Sequence, residues 1–254
     1  MTLYETGKRI CLDVYVNRCD DRFCVLWGNR LIMKKFSLQD RLVFYSKREE
    51  LANRLTHGAG GILSVAGLVI LLVAASRTDD PWRVVSVAIY GTGMITFYTL
   101  STLYHTVKTP RVKYVFRILD HASIFLMIAG TYTPFTLVSL RGPWGWSLFG
   151  TVWGLALAGI VFKIFMTHRL RVIAPLFYIG LGWIVVIALK PLLASVPTAG
   201  VLWLIGGGVA YTVGVLFYAL DRIPFNHAIW HLFVLAGSLC HYIAVLRYVV
   251  PISV

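Results

Sequence analysis

Seven apolar runs, each about twenty residues long, constrain the fold of this chain more than any other feature of its sequence. A helix needs roughly 20 predominantly apolar residues to cross the hydrocarbon core of a bilayer. The mean hydropathy is +0.74, and only 14% of the 254 residues are charged. We therefore predict an all-α integral membrane protein, a bundle of seven transmembrane helices. The expected spans are residues 60–76, 84–105, 118–140, 146–166, 172–193, 200–220 and 225–249.

Lysine and arginine are unevenly distributed among the connections between these runs. They are concentrated in the amino-terminal segment and after the second and fourth runs, while the first, third and fifth connections carry few or none. Because membrane proteins keep Lys and Arg on cytoplasmic loops, we predict a cytoplasmic amino terminus and a carboxyl terminus outside. This excess of Lys and Arg on cytoplasmic loops explains the net charge of +13. The charge therefore does not indicate nucleic-acid binding, and we expect no nucleic-acid partner.

The amino-terminal part of the chain is polar and precedes the first apolar run. We predict a cytoplasmic extension over residues 1–45 and a membrane domain over 46–254. Alternating patches at 12–16 and 22–27 fit either a small hairpin or weakly ordered chain. Residues 46–54 have the pattern of a short amphipathic helix, with a Ser46 cap and Glu49 at the capping-box position. We expect this helix to lie along the inner membrane surface.

Three local features of the sequence predict details of the spans and of one connection. Pro134 falls inside the third span and is expected to kink it. Three consecutive glycines, 206–208, are expected to let the sixth span approach a neighbouring helix closely. The connection between the second and third spans is expected to be a basic loop containing Lys108, Arg111, Lys113 and Arg117.

A pair of histidines opens the last apolar run. His227 and His231 are four residues apart, so on a helix their side chains lie on one face and can reach a single atom. Ionisable residues inside a membrane segment usually face the protein interior and mark a functional site. The alternative is a pair of core histidines that are hydrogen-bonded to neighbouring helices.

Residues from two other spans favour a functional site over a pair of core histidines. In the predicted topology, His105 ends the second span and Asp120 lies near the start of the third, on the side where the seventh span begins. Three histidines and one carboxylate are thus expected in one layer near the cytoplasmic face. Ser101 precedes His105 by one turn, and we expect it to hydrogen-bond to a ligand or to bound water.

The residue types indicate zinc chemistry. Three imidazoles and an open fourth position are typical of a catalytic zinc site. Zinc can lower the pKa of its water to about 7 and polarise a carbonyl. Asp120 would orient that water or act as general base, or it would support a histidine ligand instead. The alternative is a structural metal that joins the second, third and seventh spans.

The remaining ionisable residues are not predicted to be metal ligands. His57 is interpreted as interfacial and His121 as packing or interfacial, while His241 lies about 15 Å beyond His231 along the helix and is expected to make a buried hydrogen bond. Glu49 and Glu50 are interpreted as helix-surface charges, one of which can approach the site. His168 is expected in a solvated basic loop. Snorkelling to the membrane surface is expected for Lys163 and Lys190.

Four motifs together resemble a known family: Glu-Glu-Leu-Ala-Asn-Arg-Leu-Thr-His-Gly at 49–58, Ser-Thr-Leu-Tyr-His at 101–105, Leu-Asp-His at 119–121 and His-Ala-Ile-Trp-His at 227–231. Over about residues 46–250, the chain resembles the bacterial haemolysin III branch of the progestin and adiponectin receptor family. The resemblance implies a seven-helix bundle with its amino terminus inside. It also implies a zinc site formed by the residues that match the family motifs: Ser101, His105, Asp120, His227 and His231.

The resemblance and the residues lead to two functional hypotheses. The wider superfamily resembles alkaline ceramidases, which implies a zinc-dependent hydrolase that cleaves a lipid amide or ester from the cytoplasmic leaflet of a bacterial inner membrane. The family name implies a second class, a non-enzymatic pore-forming haemolysin or a sensor of lipid state with structural zinc. A pore should show a polar stripe along several spans, and spans one, four and six show little of one. Membrane lipids are the expected partners in both cases.

Overall fold

A computed structural model of the protein describes residues 18–19, 22–27, 30–35, 42–166, 173–220 and 222–250. The chain divides into two compact units, Met1–Val43 and Phe44–Val254. The predicted patch at 12–16 and the expected loop position of His168 lie outside the described residues.

The first unit contains a three-stranded antiparallel sheet. Its strands are β1 (Arg18–Cys19), β2 (Arg22–Trp27) and β3 (Arg30–Lys35), in the order β1-β2-β3. Trp27 pairs with Arg30 at one end of the β2–β3 ladder, and Arg22 pairs with Lys35 at the other. The alternating residues at 22–27 thus form a strand, which is one of the two structures that their pattern fits.

The described residues of the second unit form helices and their connections. The helices are α1 (Lys47–Ala75), α2 (Pro81–Thr106), α3 (Pro110–Pro134), α4 (Pro143–Met166), α5 (Ile173–Trp183), α6 (Leu189–Ser195), α7 (Thr198–Ala219) and α8 (Asn226–Ala244). A 3-10 segment, Ile184–Ala188, joins α5 to α6, and π-helical turns extend α3 and α8 over Phe135–Ser139 and Val245–Val249.

Seven helical segments of the described chain are long and apolar enough to cross a membrane. They are α1, α2, α3 with its π turn, α4, the α5–α6 segment, α7, and α8 with its π turn. The predicted multi-pass helical fold and the number of spans are therefore confirmed. The side of the membrane on which each terminus lies stays a prediction.

The start of α1 corrects one expectation. The capping box is present, because Ser46 Oγ accepts a hydrogen bond from Glu49 N while Glu49 Oε2 accepts one from Ser46 N. However, the helix continues without a break from Lys47 to Ala75, so residues 47–54 are the first turns of the span itself and not a separate surface helix. Asn53, His57 and Gly60 are buried and continue the inward face of the span.

The predicted basic loop after the second span is also corrected. α3 begins at Pro110, where proline is favoured because its missing N–H would be unpaired in any case. Lys113 and Arg117 are therefore helical, and both are buried. They precede Asp120 by seven and three residues, so all three side chains lie on the inward side of α3.

Two of the predicted local features have clear counterparts. The α-helical part of α3 ends at Pro134, and the π turn follows directly. A Cβ on Gly207 would lie 2.3 Å from the His241 ring and 3.1 Å from Gly237 O, so α7 and α8 pack at backbone distance there. Gly208 faces the Trp183 ring in the same region.

Buried charge is concentrated at one end of the bundle. The rest of the core is mainly apolar and aromatic, with Tyr90, Phe97 and Tyr98 among its largest buried side chains. The buried acidic, basic and histidine side chains of the described residues lie where α1, α3 and α8 begin and where α2 and α4 end. They are His57, His105, Lys113, Arg117, Asp120, Lys163, His227 and His231.

Candidate metal centre

Three histidines from two helices meet at this end of the bundle. His105 lies in the last turn of α2, and His227 and His231 lie in the first two turns of α8. One ring nitrogen from each lies within 4.8 Å of those of the other two, and all three side chains are buried. We call these residues the histidine cluster. It can hold a metal ion.

The His105 ring is oriented by a carboxylate from α1. Glu50 Oε2 lies 2.6 Å from His105 Nδ1, and Glu50 Oε1 accepts a hydrogen bond of 2.8 Å from Lys113 Nζ. Because a carboxylate only accepts, His105 Nδ1 carries the proton and Nε2 keeps its lone pair. A histidine held by a carboxylate in this way is the usual arrangement of a metal ligand.

The His231 ring is oriented by the backbone of α1. Its Nδ1 lies 3.3 Å from Asn53 O and 3.1 Å from Thr56 Oγ1. Thr56 donates its own hydroxyl proton to the Ala52 and Asn53 carbonyls, so Oγ1 accepts from His231. The proton is therefore on Nδ1. His231 Nε2 is left as a buried lone pair with no hydrogen-bond partner among the described residues.

The spacing of the ring nitrogens fits a tetrahedral metal. His105 Nε2 and His227 Nε2 are 3.2 Å apart. Two nitrogens bound at 2.0–2.1 Å to one tetrahedral zinc ion stand about 3.3 Å apart. A direct hydrogen bond between the two rings also has this length, but it leaves His231 Nε2 unsatisfied, which is rare for a buried polar atom. The donor set thus fits zinc, whose identity stays a prediction.

Asp120 and Ser101 lie beside the histidine cluster. Asp120 is buried, and the Ser101 hydroxyl donates a hydrogen bond to its carboxylate. Asp120 and His227 line the same cavity of about 30 Å³, which is large enough for one or two water molecules. The structure thus places Asp120 next to space that can hold water, with Ser101 on the neighbouring helix α2. Their catalytic roles stay predictions.

His57 is not interfacial, contrary to our expectation. It is fully buried, and its ring stacks on that of His231 with centroids 3.4 Å apart and planes 16° apart. Tyr98 packs edge-on against it at 5.0 Å. The prediction failed because it considered each helix alone. Glu50, Asn53 and His57 are spaced i, i+3 and i+7, and that spacing places three polar side chains on one face of α1.

Lys163 does not reach the membrane surface, which is a second correction. It is buried and lines the small cavity with Arg117 and Asp120, and it interacts electrostatically with both. The Asp120 carboxylate favours this inward position because a buried charge requires a nearby opposite charge. Lys190, by contrast, is exposed.

Two other histidines lie outside the cluster. His121 is half-buried, with its Nδ1 2.7 Å from Arg117 O and 3.8 Å from Asp120 Oδ2. His241 Nδ1 donates to Gly237 O at 2.8 Å, and its ring stacks on Tyr211. Of the two glutamates, Glu50 contacts the cluster, whereas Glu49 accepts a 3.2 Å hydrogen bond from Phe225 N.

The segment before α1 covers the histidine cluster. The Tyr45 ring lies 4.9 Å from the His227 ring and 5.9 Å from the His105 ring, measured between centroids. Burial raises the pKa of Tyr45 above its ordinary value, so its hydroxyl stays neutral and does not compete as an anionic ligand. Phe225, just before α8, has a left-handed backbone (φ 58°), which is strained for an aromatic residue.

Apolar cavities extend from the site into the bundle. A cavity of about 100 Å³ shares Tyr178 and Trp230 with the small cavity at Asp120. A further cavity of about 170 Å³ shares Tyr132 and Trp183 with the first. The series leads from Asp120 into the apolar space between α3, α5, α7 and α8.

Comparison with known proteins supports the resemblance seen in the motifs. Residues 45–242 match the model of a family described as Haemolysin-III related. The chain is 48% identical to Hemolysin-3 of Bacillus cereus over 204 residues, which cover 80% of this chain and 93% of that protein. It is 45% identical to the Hemolysin-3 homolog of Bacillus subtilis (strain 168), with 82% and 98% covered. It is 30% identical to the human Monocyte to macrophage differentiation factor, with 79% and 84% covered.

Proposed function

The chain belongs to the haemolysin III-related family, and from this premise we propose that it is a zinc-dependent membrane hydrolase that cleaves an amide or ester bond of a lipid. One observation carries the proposal. Three imidazole nitrogens converge at a buried point, and a buried carboxylate borders water-sized space beside them. A closed structural zinc site usually has four protein ligands, whereas three histidines leave one position open for water or substrate.

In this proposal, His105, His227 and His231 hold the metal, and Glu50 and the α1 backbone fix two of the three rings. A zinc ion bound there would polarise the substrate carbonyl and make water acidic enough to lose a proton near neutral pH. The contacts with α1 hold the Nδ1 protons of His105 and His231 and leave their Nε2 lone pairs for the metal.

Asp120 acts as the general base. Its carboxylate accepts a proton from the attacking water as the oxygen adds to the carbonyl carbon. The same carboxyl then returns the proton to the leaving nitrogen or oxygen as the bond breaks, which yields a carboxylic acid and an amine or alcohol. The Ser101 hydroxyl donates to Asp120 and holds it in position.

The apolar cavities support a lipid substrate. They begin beside Asp120 and are lined mainly by aromatic and aliphatic side chains, so an acyl chain can lie there with its carbonyl at the site. The Bacillus relatives and the Lys and Arg distribution support a bacterial inner membrane, with the site near the cytoplasmic face.

Turnover by purified protein tests the proposal. Zinc-loaded wild type is incubated with N-palmitoyl sphingosine and with palmitoyl lysophosphatidylcholine, and released palmitate is measured by mass spectrometry. Asp120→Asn should retain zinc and lose activity by about 100-fold or more, since general base catalysis contributes that much. Asp79→Asn, at an exposed position in the α1–α2 connection, is the matched control and should keep wild-type activity.

Two outcomes contradict the hydrolase. One is the absence of turnover of both lipids by zinc-loaded protein, and the other is equal turnover by wild type and Asp120→Asn. Leakage of dye from liposomes by both proteins, without palmitate release, would favour the pore-forming alternative. The position of the buried charges at one end of the described bundle does not favour a pore.

A further inference from the structure

The two apolar cavities inside the bundle share a histidine that the proposed hydrolysis does not use. His241 lines both the cavity of about 100 Å³ that begins beside the site and the cavity of about 170 Å³ beyond it. Thr131, Tyr132 and Trp183 also line both cavities. We call these four residues the cavity junction. A chain that fills the first cavity passes His241 as it enters the second.

One ring nitrogen of His241 is bonded to its own helix. Nδ1 lies 2.8 Å from Gly237 O, and Nδ1 carries a proton because a carbonyl only accepts. No acidic side chain is among the described residues that line the two cavities, and an uncompensated charge inside a membrane span is costly. The ring is therefore neutral, and its Nε2 is a hydrogen-bond acceptor. Nε2 makes no hydrogen bond with the described residues, so it is free to bond to a molecule in the cavity.

The other polar side chains of the cavity junction are bonded within the protein. The Thr131 hydroxyl donates to a backbone carbonyl one turn earlier in α3, at 2.8 Å. The Tyr132 hydroxyl donates to a backbone carbonyl of α5 at 2.6 Å. Trp183 Nε1 donates to Thr212 Oγ1 at 3.1 Å. The cavities thus offer a ligand mainly apolar surface together with the His241 acceptor, and a placed polar group of this kind gives specificity.

The depth of His241 indicates where a ligand should carry its hydrogen-bond donor. His241 lies beyond His231 in α8 by about 15 Å along the axis, which an extended alkyl chain spans with about 12 carbons. With the carbonyl carbon at the histidine cluster, the distal half of a long acyl chain reaches His241. A hydroxyl group is the donor that an acyl chain can carry at that depth.

We propose that His241 selects an acyl chain with a hydroxyl group about 12 carbons from the carbonyl, and that Nε2 accepts a hydrogen bond from this hydroxyl. This inference rests on the proposed function, because that function places the carbonyl carbon at the histidine cluster. A hydroxyl that enters an apolar cavity without a partner loses its hydrogen bonds to water, which is costly. His241 is thus a specificity residue and not a catalytic residue.

Binding of two fatty acids to the full-length, zinc-loaded protein in detergent tests the inference. The probes are stearate and 12-hydroxystearate, and isothermal titration calorimetry gives the dissociation constant of each. Neither probe contains an amide or ester bond, so the measurement does not depend on turnover. The quantity compared between proteins is the dissociation constant of stearate divided by that of 12-hydroxystearate, in which the different partition of the two probes into detergent cancels.

His241→Met and His241→Gln are a matched pair, because the two side chains have similar length and glutamine alone keeps a strong acceptor. His241→Met should lower the ratio by about fivefold or more, the usual effect of one hydrogen bond, and His241→Gln should retain most of it. Thr131→Val removes a hydroxyl of the same junction that is already bonded within α3, so it should keep the wild-type ratio. Zinc content and the circular dichroism spectrum show that each variant is folded.

A positional isomer tests the depth of the hydroxyl. The hydroxyl of 3-hydroxystearate lies close to the carboxylate, so the affinity of this isomer relative to stearate should be the same in wild type and His241→Met. A preference for the isomer that depends on His241 would overturn the inference, since the chain would then lie in the opposite direction.

Equal ratios for stearate and 12-hydroxystearate in wild type and His241→Met would also overturn it, because the hydroxyl would then not contact His241. Failure of the proposed function has a different result. A protein that prefers 12-hydroxystearate through His241 but releases no palmitate from either lipid substrate lacks the hydrolase activity and keeps the chain site.

Discussion

Among single residues, those of α1 orient the candidate metal centre together with the helices that carry the histidines. Glu50 receives hydrogen bonds from His105 and Lys113, and the Asn53 carbonyl receives one from His231. These contacts fix the tautomers that leave Nε2 atoms facing one another. A site with the same three histidines and no support from α1 would bind a metal less well, because its rings would be free to rotate.

We expect Glu50→Gln to weaken zinc affinity by about 10- to 100-fold, the usual effect of removing a carboxylate that holds a histidine ligand. Competition with a chromophoric chelator measures the affinity. The matched control is Glu49→Gln, which removes an exposed neighbouring carboxylate that caps α1 and contacts Phe225 rather than the cluster. Equal affinity of Glu50→Gln and Glu49→Gln would show that Glu50 does not orient the metal site.

His57 should act through the shape of its ring rather than through its nitrogens. It stacks on His231, and neither of its nitrogens has a hydrogen-bond partner among the described residues. His57→Ala removes the stack, so we expect it to lower both zinc affinity and the melting temperature, with a loss of about 2 kcal/mol from the cavity. His57→Phe should retain both. Loss of zinc in His57→Phe would indicate instead that a His57 nitrogen takes part in binding.

The structure brings together the predicted residues whose signal lies in one helix or in the order of spans, and their roles stay predictions. His227 and His231 follow from their spacing, and His105 and Asp120 from the depth at which their spans start or end. The positions of His57 and Lys163 depend instead on the rotation of α1 and α4 about their own axes. Amphipathicity does not determine this rotation in a span that is apolar on most faces.

At the scale of helices, α1 is positioned by glycine contacts that bring its polar face against α2 and α8. A Cβ on Gly60 would lie 2.6 Å from the Tyr98 ring and 2.9 Å from Leu235. Gly61, one residue on, would place its Cβ at an ordinary 3.7 Å from Tyr98. The close packing at Gly60 therefore fixes the distance between α1 and the histidine cluster.

The different packing of Gly60 and Gly61 predicts different effects of alanine at the two positions. Gly60→Ala should lower the melting temperature and the zinc affinity, because α1 must move away from Tyr98 and carry Glu50 and Asn53 with it. Gly61→Ala should be neutral or stabilising, since alanine is favoured over glycine in helices by up to about 1 kcal/mol. Thermal unfolding followed by circular dichroism measures the first effect. A Gly60→Ala protein as stable as Gly61→Ala would contradict the packing described here.

The number of helices could be predicted from the sequence, but the residues at which two of them begin could not. Hydropathy gives the number of spans, but it stops at the first charged residues and therefore placed the starts of α1 and α3 too late. In both cases the charged residues are helical, and some of them face inward: Glu50 in α1, and Lys113 and Arg117 in α3. Their partners on other helices compensate for burial, and a window along one segment contains no information about such partners.

At the scale of the whole molecule, the bundle combines a polar end with an apolar body. The buried charges of the described residues and the histidine cluster occupy one end, and apolar cavities extend from there between α3, α5, α7 and α8. This arrangement suits a site that meets the polar part of a lipid at the membrane surface while the acyl chain enters the protein. Packing among α1, α2, α3 and α8 keeps that geometry fixed, because each of these helices contributes a side chain or carbonyl to it.

The proposed function requires that the histidine cluster bind one zinc ion. Metal content measured by plasma mass spectrometry on detergent-purified protein tests it most directly, with wild type compared with His231→Ala and Asp120→Asn. We predict about one zinc per chain in wild type and in Asp120→Asn, and loss of zinc in His231→Ala, because only the histidine supplies a ligand in this account. Folded wild-type protein without zinc, or His231→Ala protein with zinc retained, would contradict the account.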